Sequence, residues 1–348
     1  MSRVAEARFV APFRRAVPLI VAVAVWGLWL SAMTGAGRFG LFRKNYFMSI
    51  TMLAGSFIAG ATSEGGGAVA FPVMTLLFKV PPPTARDFSL MIQSVGMSAA
   101  SLTILAGRIR ICTRTATCAG PGGVIGVVLG LELVSELMPP SYVKMFFTSL
   151  WLSFAVVLFW LNRDRDRLLA SAAPRGPRAA LALFFVGVLG GIVSGVTGSG
   201  VDILTFSLLV LSFRVSESIA TPTSVVLMAM TAVAGALYRG GVSSAGLAPR
   251  AWDYWWVCVP IVVVGAPFGA RFIKSRSREW ICGLLATCIA VQFVGALMII
   301  PQSASLLLAS VATLVGGVGL FGWMQATAKN LAVPEKSNAS STEPFRTP

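Results

Sequence analysis

Gly191-Ile-Val-Ser-Gly-Val-Thr-Gly-Ser-Gly200 leads directly into a short apolar run, 201–213. The run before it, 179–197, is long enough to span a membrane. A hydrocarbon core of about 30 Å takes about 20 helical residues, so 201–213 is too short to cross. Each glycine destabilises a helix by about 1 kcal/mol relative to alanine. A cluster of glycines inside apolar sequence therefore marks a broken helix that resumes as a half-helix. The same arrangement occurs earlier, where Gly60-Ala-Thr-Ser-Glu-Gly-Gly-Gly67 precedes the short run 67–78.

The two breaks belong to an internal repeat. A shift of 135 residues places Gly60 on Gly195, Thr62 on Thr197, Gly65 on Gly200, Phe71 on Phe206, Ala85 on Ala220, Ser89 on Ser224 and Gly130 on Gly265. One unbroken offset over more than 70 residues implies two copies of one unit. The chain divides into a cytoplasmic N-terminus with a first transmembrane helix (1–45), repeat 1 (46–162), a basic cytoplasmic linker (163–178), repeat 2 (179–300), a last transmembrane helix (301–328) and a disordered cytoplasmic tail (329–348). The first apolar run, 17–34, follows four arginines as a signal peptide would. Its length and the basic segment 37–45 behind it favour an uncleaved helix.

Composition sets the class. The 348 residues are 56% hydrophobic and 12% charged, against about 25% charged in soluble domains. Such a chain presents apolar surface to lipid and allows about ten spanning segments. The formal charge of +15 comes from basic residues in short gaps between apolar runs, so it holds topology and not nucleic acid. With a cytoplasmic N-terminus, and each broken segment returning to the side it left, 20 of the 28 Lys and Arg fall on the cytoplasmic side. The first unit then begins outside and the second inside, so the repeats are inverted. Each holds a Gly-broken helical hairpin plus three transmembrane helices, the architecture of secondary transporters. Had each broken segment crossed once, the repeats would be parallel and the basic loop 108–114 would move outside. The fold expected is an all-α polytopic membrane protein of two inverted repeats with one extra helix at each end. The expected location is the inner cell membrane, with both termini cytoplasmic.

There is no histidine, and the five cysteines lack metal-type pair spacing. A membrane enzyme needs a nucleophile, base or metal set that is not found here. No enzyme activity, cofactor or metal is expected.

The breaks carry the chemistry. Irregular backbone in hydrocarbon survives only where it is buried in protein or lines a cavity. The first N–H groups of a half-helix lack intrahelical partners and sit in positive dipole potential, which suits an anion. The backbone at Gly65, Gly66 and Gly67 and at Gly200 to Asp202 is expected to supply donors, with hydroxyls from Thr62, Ser63, Thr197 and Ser199. Glu64 and Asp202 are ionisable groups at membrane depth and are candidates for proton coupling. As fixed anions they would oppose anion binding; protonated, they can donate to the anion. Helix N-capping is the alternative role for Asp202. Arg86 and Asp87 lie at a segment start and read as interfacial, and Gln93 and Gln292 as hydrogen-bonding between helices. Gly122, Gly126 and Gly130, with Gly265 and Gly269 in the second copy, read as a packing face.

At these motifs the chain resembles the TauE/SafE family of sulfite and organosulfonate exporters. The family pattern is a Gly-rich break, an apolar stretch often containing proline, a short loop and an Ala-x-x-x-Ser helix start. The first copy reads Gly60 to Gly67, Phe71-Pro72, Pro81-Pro82-Pro83 and Ala85-Arg-Asp-Phe-Ser89; the second reads Gly191 to Gly200 and Ala220-Thr-Pro-Thr-Ser224. The resemblance covers roughly residues 46 to 300. The departures are Glu64 and Asp202, where the family commonly has small or apolar residues, and the flanking helices 17–34 and 304–325. The resemblance implies export or uptake of sulfite or an organosulfonate without ATP. The partners implied are a small sulfur oxyanion and the lipid bilayer; a coupled H⁺ is the partner that Glu64 and Asp202 suggest, and a homo-oligomer is compatible with the sequence. A membrane scaffold or assembly subunit that does not transport is the competing reading.

Overall fold

The computed structural model describes residues 2–62, 70–163, 175–273 and 278–326. Among these there are helices and no strands, as a bilayer demands of a chain that satisfies its backbone within each segment. Seven helices among the described residues are long and apolar enough to cross a membrane, and the chain is a multi-pass membrane protein. The helices are α1 (Ser2–Gly35), α2 (Gly40–Ala61), α3 (Pro82–Ala106), α4 (Thr113–Leu129), α5 (Pro140–Arg163), α6 (Pro177–Thr197), α7 (Val201–Ser207), α8 (Glu217–Gly241), α9 (Pro249–Ile273), α10 (Arg278–Ile299) and α11 (Ala304–Ala326). Proline stands in the first turn of α3 and α6, where its missing N–H costs nothing.

The two copies repeat in local detail. A π-helical turn at Val73–Leu77 matches one at Leu208–Ser212, and α3 matches α8, all at the same 135-residue spacing. Each π turn ends alike. Phe78 N–H donates to Val73 O and Val80 N–H to Met74 O; Phe213 N–H donates to Leu208 O and Val215 N–H to Leu209 O. Between them Lys79 and Arg214 both take φ +53°, which side chains rarely adopt. Two independent sequences adopting one strained turn at one spacing is the mark of a duplicated unit. A third π turn, Gly130–Val134, extends α4 and has no counterpart in α9, which stays α-helical.

The copies interlock. α2 packs on α9, and α6 packs on α4, so the first helix of each unit lies against the fourth element of the other. The equivalents α3 and α8 pack on each other. Asp87 near the start of α3 lies 3.8 Å from Arg239 near the end of α8, while Ser101 near the end of α3 donates to Val225 O near the start of α8, 3.5 Å. These equivalent helices therefore run antiparallel.

Glycine makes the interlock close. A Cβ on Gly126 would overlap Val188 O, one on Gly191 would overlap Gly123 O, and one on Gly195 would lie 2.6 Å from Val127 O. In the other seam, Gly269 faces Phe57 O and Gly60 faces Ala266 O. Both seams use small residues to bring backbones together. Outside the repeats, α1 is fastened to α9 by indole N–H groups: Trp26 donates to Pro260 O (2.8 Å) and Trp29 to Trp256 O (2.7 Å). At the far end Ser212 Oγ donates to Met324 O on α11, 2.6 Å.

α2 is kinked at Asn45 (φ −122°, ψ 19°), so a short segment from Gly40 carries Arg43 and Lys44 and the uninterrupted helix starts at 46; long cationic side chains can reach the interface from a helix end. α3 begins at Pro82, so Arg86 and Asp87 lie within the helix.

Candidate functional site

α6 is apolar to its last turn and then stops inside the protein. Gly198 takes φ +85°, ψ −2°, the left-handed conformation that ends helices, and its N–H donates to Ser194 O, 2.7 Å. α7 starts three residues later at Val201. Every residue from Ser194 to Leu211 is buried, so the break must satisfy its own polar groups. Ser194 Oγ accepts the Val201 N–H, 3.0 Å. The Thr197 hydroxyl lies 3.0 Å from Val193 O and 2.7 Å from Ser199 O. Ser199 Oγ donates to Asp202 Oδ2, 3.0 Å.

The N–H of Val201 is occupied by Ser194, and the Thr197 hydroxyl is spent on carbonyls, so Thr197 shapes the turn. Ser199 and Gly200 lie at the break as expected, and Ser199 is bonded to Asp202. Asp202 is wholly buried, and its Oδ1 has no hydrogen-bond partner among the described residues. Thr62 ends α2 with its N–H and its hydroxyl both on Ile58 O, 2.9 Å each. The expected residues Ser63, Glu64, Gly65, Gly66 and Gly67 lie outside the described residues.

The break of repeat 2 is completed by helix α3 of repeat 1. Gln93 Nε2 donates to Gly198 O, 2.7 Å, and the residue is 3% exposed. Gln93 thus bonds to the broken backbone of the other unit, as its depth in α3 allowed but did not specify. One turn earlier, Ser89 meets the same glycine: a Cβ on Gly198 would lie 2.5 Å from Ser89 Cβ and 3.0 Å from Arg86 O. Between these groups is a cavity of about 10 Å³, lined chiefly by Gln93, Ser194, Gly198, Ser199, Met228 and Thr231. That is room for roughly one water. Thr231 Oγ1, which lines it, and Ser89 Oγ, which lies against Gly198, are buried without hydrogen-bond partners among the described residues. An oxyanion needs more space than this cavity offers in this conformation.

Sequence reasoning missed Ser89, Ser194 and Thr231 as site residues. Ser89 carried a signal, its recurrence as Ser224, but served only as a landmark of the repeat. Ser194 carried none, because serine mid-helix in an apolar run more often bonds its own helix. Arg86 and Asp87, read as interfacial, are buried within the protein, 3% and 1% exposed. Their helix begins four residues earlier than Arg86 and is covered by the loop leading to α9. Among the described residues no group of His, Cys, Asp and Glu has the arrangement of a metal site.

A family model described as sulfite exporter TauE/SafE matches residues 47–298. No curated protein matches the chain, and no solved structure does.

Proposed function

Since this chain belongs to the sulfite exporter TauE/SafE family, a family of membrane transporters of sulfur anions, we propose that it is a secondary transporter of sulfite or an organosulfonate whose site lies at the paired helix breaks. The observation that carries this reading is the buried break at 197–200, closed by Gln93 from the other repeat over a small polar cavity. A seat made by both units opens to one side or the other as the units rock. The antiparallel run of α3 and α8 supports inverted repeats, with 46–162 and 179–300 as the two units. The basic loops support a cytoplasmic N-terminus and C-terminus in the inner cell membrane.

In this reading Ser199, Gly200 and Gln93 face the anion, Thr197 holds the turn, and Thr62, Ser63 and Gly65 to Gly67 are the candidate ligands that repeat 1 contributes. Ser89 and Thr231 offer unspent hydroxyls. Asp202 passes a proton: protonated, its Oδ1 donates toward the anion; ionised, it expels it. Glu64 has the same role in repeat 1.

The test is anion flux in proteoliposomes given sulfite, sulfoacetate, taurine, sulfate or chloride, with and without a pH gradient. Sulfite or an organosulfonate is expected to give flux that the gradient accelerates. Asp202→Asn, fixed in the uncharged form, is expected to lower that flux more than tenfold and remove its dependence on the gradient. Gradient-driven flux that persists in both Asp202→Asn and Glu64→Gln overturns proton coupling through these residues. Gln93→Ala leaves Gly198 O buried without its donor, which costs about 1–3 kcal/mol. It is expected to weaken transport several-fold, read as a raised KM for sulfite. The scaffold reading predicts no anion flux at all from folded protein.

A further inference from the structure

Among the described residues, the cations buried outright are Arg86 and Arg239, 3% and 9% exposed. They share one carboxylate. Arg86 Nε and Nη2 both donate to Asp87 Oδ1, at 3.0 and 2.9 Å. Arg239 Nε stands 3.8 Å from the same oxygen and has no hydrogen bond. Asp87 Oδ2 accepts the Ala248 N–H, 3.0 Å. Arg239 is steadied from its other side: its Nη1 donates to Ser243 Oγ (3.3 Å), which donates to Glu132 Oε1 (2.8 Å). Glu132 and Glu136 are exposed and lie outside the buried part of the cluster. The buried part of the cluster therefore holds two guanidinium groups for one carboxylate.

The position of the pair matters as much as its charge. Arg86, Ser89 and Gln93 lie three and four residues apart and so share one face of α3. That face meets the break: Gln93 bonds to Gly198 O, Ser89 Cβ abuts Gly198, and Arg86 O lies beside it. Helical side chains lean toward the N-terminus of their helix. The Arg86 guanidinium is therefore displaced from the break toward the membrane face where α3 begins, and polar groups run in a row from that face to the cavity.

We propose that Arg86 is a transient ligand of the transported oxyanion, held by Asp87 while the site is empty and handed to the anion at one mouth of the pathway. The inference rests on the transporter reading above. A guanidinium presents paired N–H donors that match an oxyanion as they match a carboxylate. Breaking a buried ion pair is normally expensive because a charge is left unpaired. Here Arg239 already stands next to Asp87 Oδ1 and takes it over as Arg86 turns away, so the exchange leaves no buried charge alone. The arrangement exists at one mouth only. At the 135-residue offset, Thr221 and Pro222 occupy the places of Arg86 and Asp87, and Ile104 that of Arg239.

The exchange model gives two neighbouring substitutions opposite effects. Sodium sulfite is titrated calorimetrically into the purified full chain in detergent, with sulfite flux of the same variants read in proteoliposomes. Asp87→Asn keeps an acceptor for the Ala248 N–H and releases Arg86, and is expected to bind sulfite at least threefold tighter. Arg86→Gln is expected to bind it at least tenfold weaker. Arg86→Lys keeps the charge without the fork, falls between wild type and Arg86→Gln, and serves if the glutamine variant does not fold. A structural staple would instead lower the thermal midpoint in both Asp87→Asn and Arg86→Gln and leave sulfite affinity unchanged. That result in a protein whose wild type binds and transports sulfite overturns the role of Arg86 alone. A wild type that neither binds nor transports sulfite overturns the transporter reading and this inference with it.

Discussion

Gly198→Ala is expected to reduce anion flux more than tenfold while the protein still inserts and folds. Two costs meet at this residue. A side chain at φ +85° pays roughly 1–2 kcal/mol for the left-handed conformation. The added methyl also lies 2.5 Å from Ser89 Cβ and 3.0 Å from Arg86 O, and overpacking of this kind costs about 1–3 kcal/mol. The second cost is the functional one, because relief requires α3 to move off the break, which pulls Gln93 from Gly198 O. Gly198→Asn separates the two, since asparagine tolerates positive φ but still strikes Ser89. It is expected to recover the backbone part of the lost stability, about 1–2 kcal/mol, and none of the flux. Gly246 supplies the control: it has φ +64° and open space where a Cβ would go. Gly246→Ala is expected to cost stability by about 1 kcal/mol and to leave flux within twofold. Thermal midpoints and sulfite flux measured on the same preparations check all three. Full flux in Gly198→Ala would show that α3 and the break do not need to touch.

How much of this was legible in the sequence depends on whether the cause was local. The 135-residue spacing could be read because glycines and prolines punctuate both copies in the same order, and the structure repeats it down to the π turns and the paired positive φ at Lys79 and Arg214. The helix break at Gly198 was legible for the same reason. The partners of the break were not. Gln93 reaches Gly198 O across 105 residues, and nothing near either residue specifies the pairing. Arg86 and Asp87 read as interfacial because apolar sequence begins after them; a proline-led first turn starts the helix earlier and a loop from repeat 2 roofs it. The π turn at Gly130–Val134 had no compositional signal, since Gly130 looked only like the third member of a small-residue face. That face itself was legible, because close backbone approach leaves its mark in residue size alone.

The seam that uses this face should be the least tolerant part of the fold. Gly126→Leu is expected to remove most of the folded protein, measured as the monodisperse fraction after detergent extraction and as the thermal midpoint of what survives. A Cβ on Gly126 already overlaps Val188 O, and neighbouring Gly122 and Gly130 face Phe184 O and Ile192 O in the same way. Backbone carbonyls cannot rotate aside as side chains do, so α4 and α6 must separate along their length. The expected cost is at the upper end of the 1–3 kcal/mol typical of overpacking, or beyond it. α6 ends in the break, so separation also shifts Gly198 relative to α3, and surviving protein should transport poorly. Gly319→Leu is the matched control: the same change in an apolar helix, where a Cβ meets open space, is expected to stay within about 0.5 kcal/mol. The duplicated seam sharpens the test. Gly269 faces Phe57 O as Gly126 faces Val188 O, so Gly269→Leu should be as damaging as Gly126→Leu. Equal damage would mean that each unit is held by the same clasp on the other. A tolerated Gly269→Leu would mean that the α2–α9 contact can slide, and that the motion between the units is centred there.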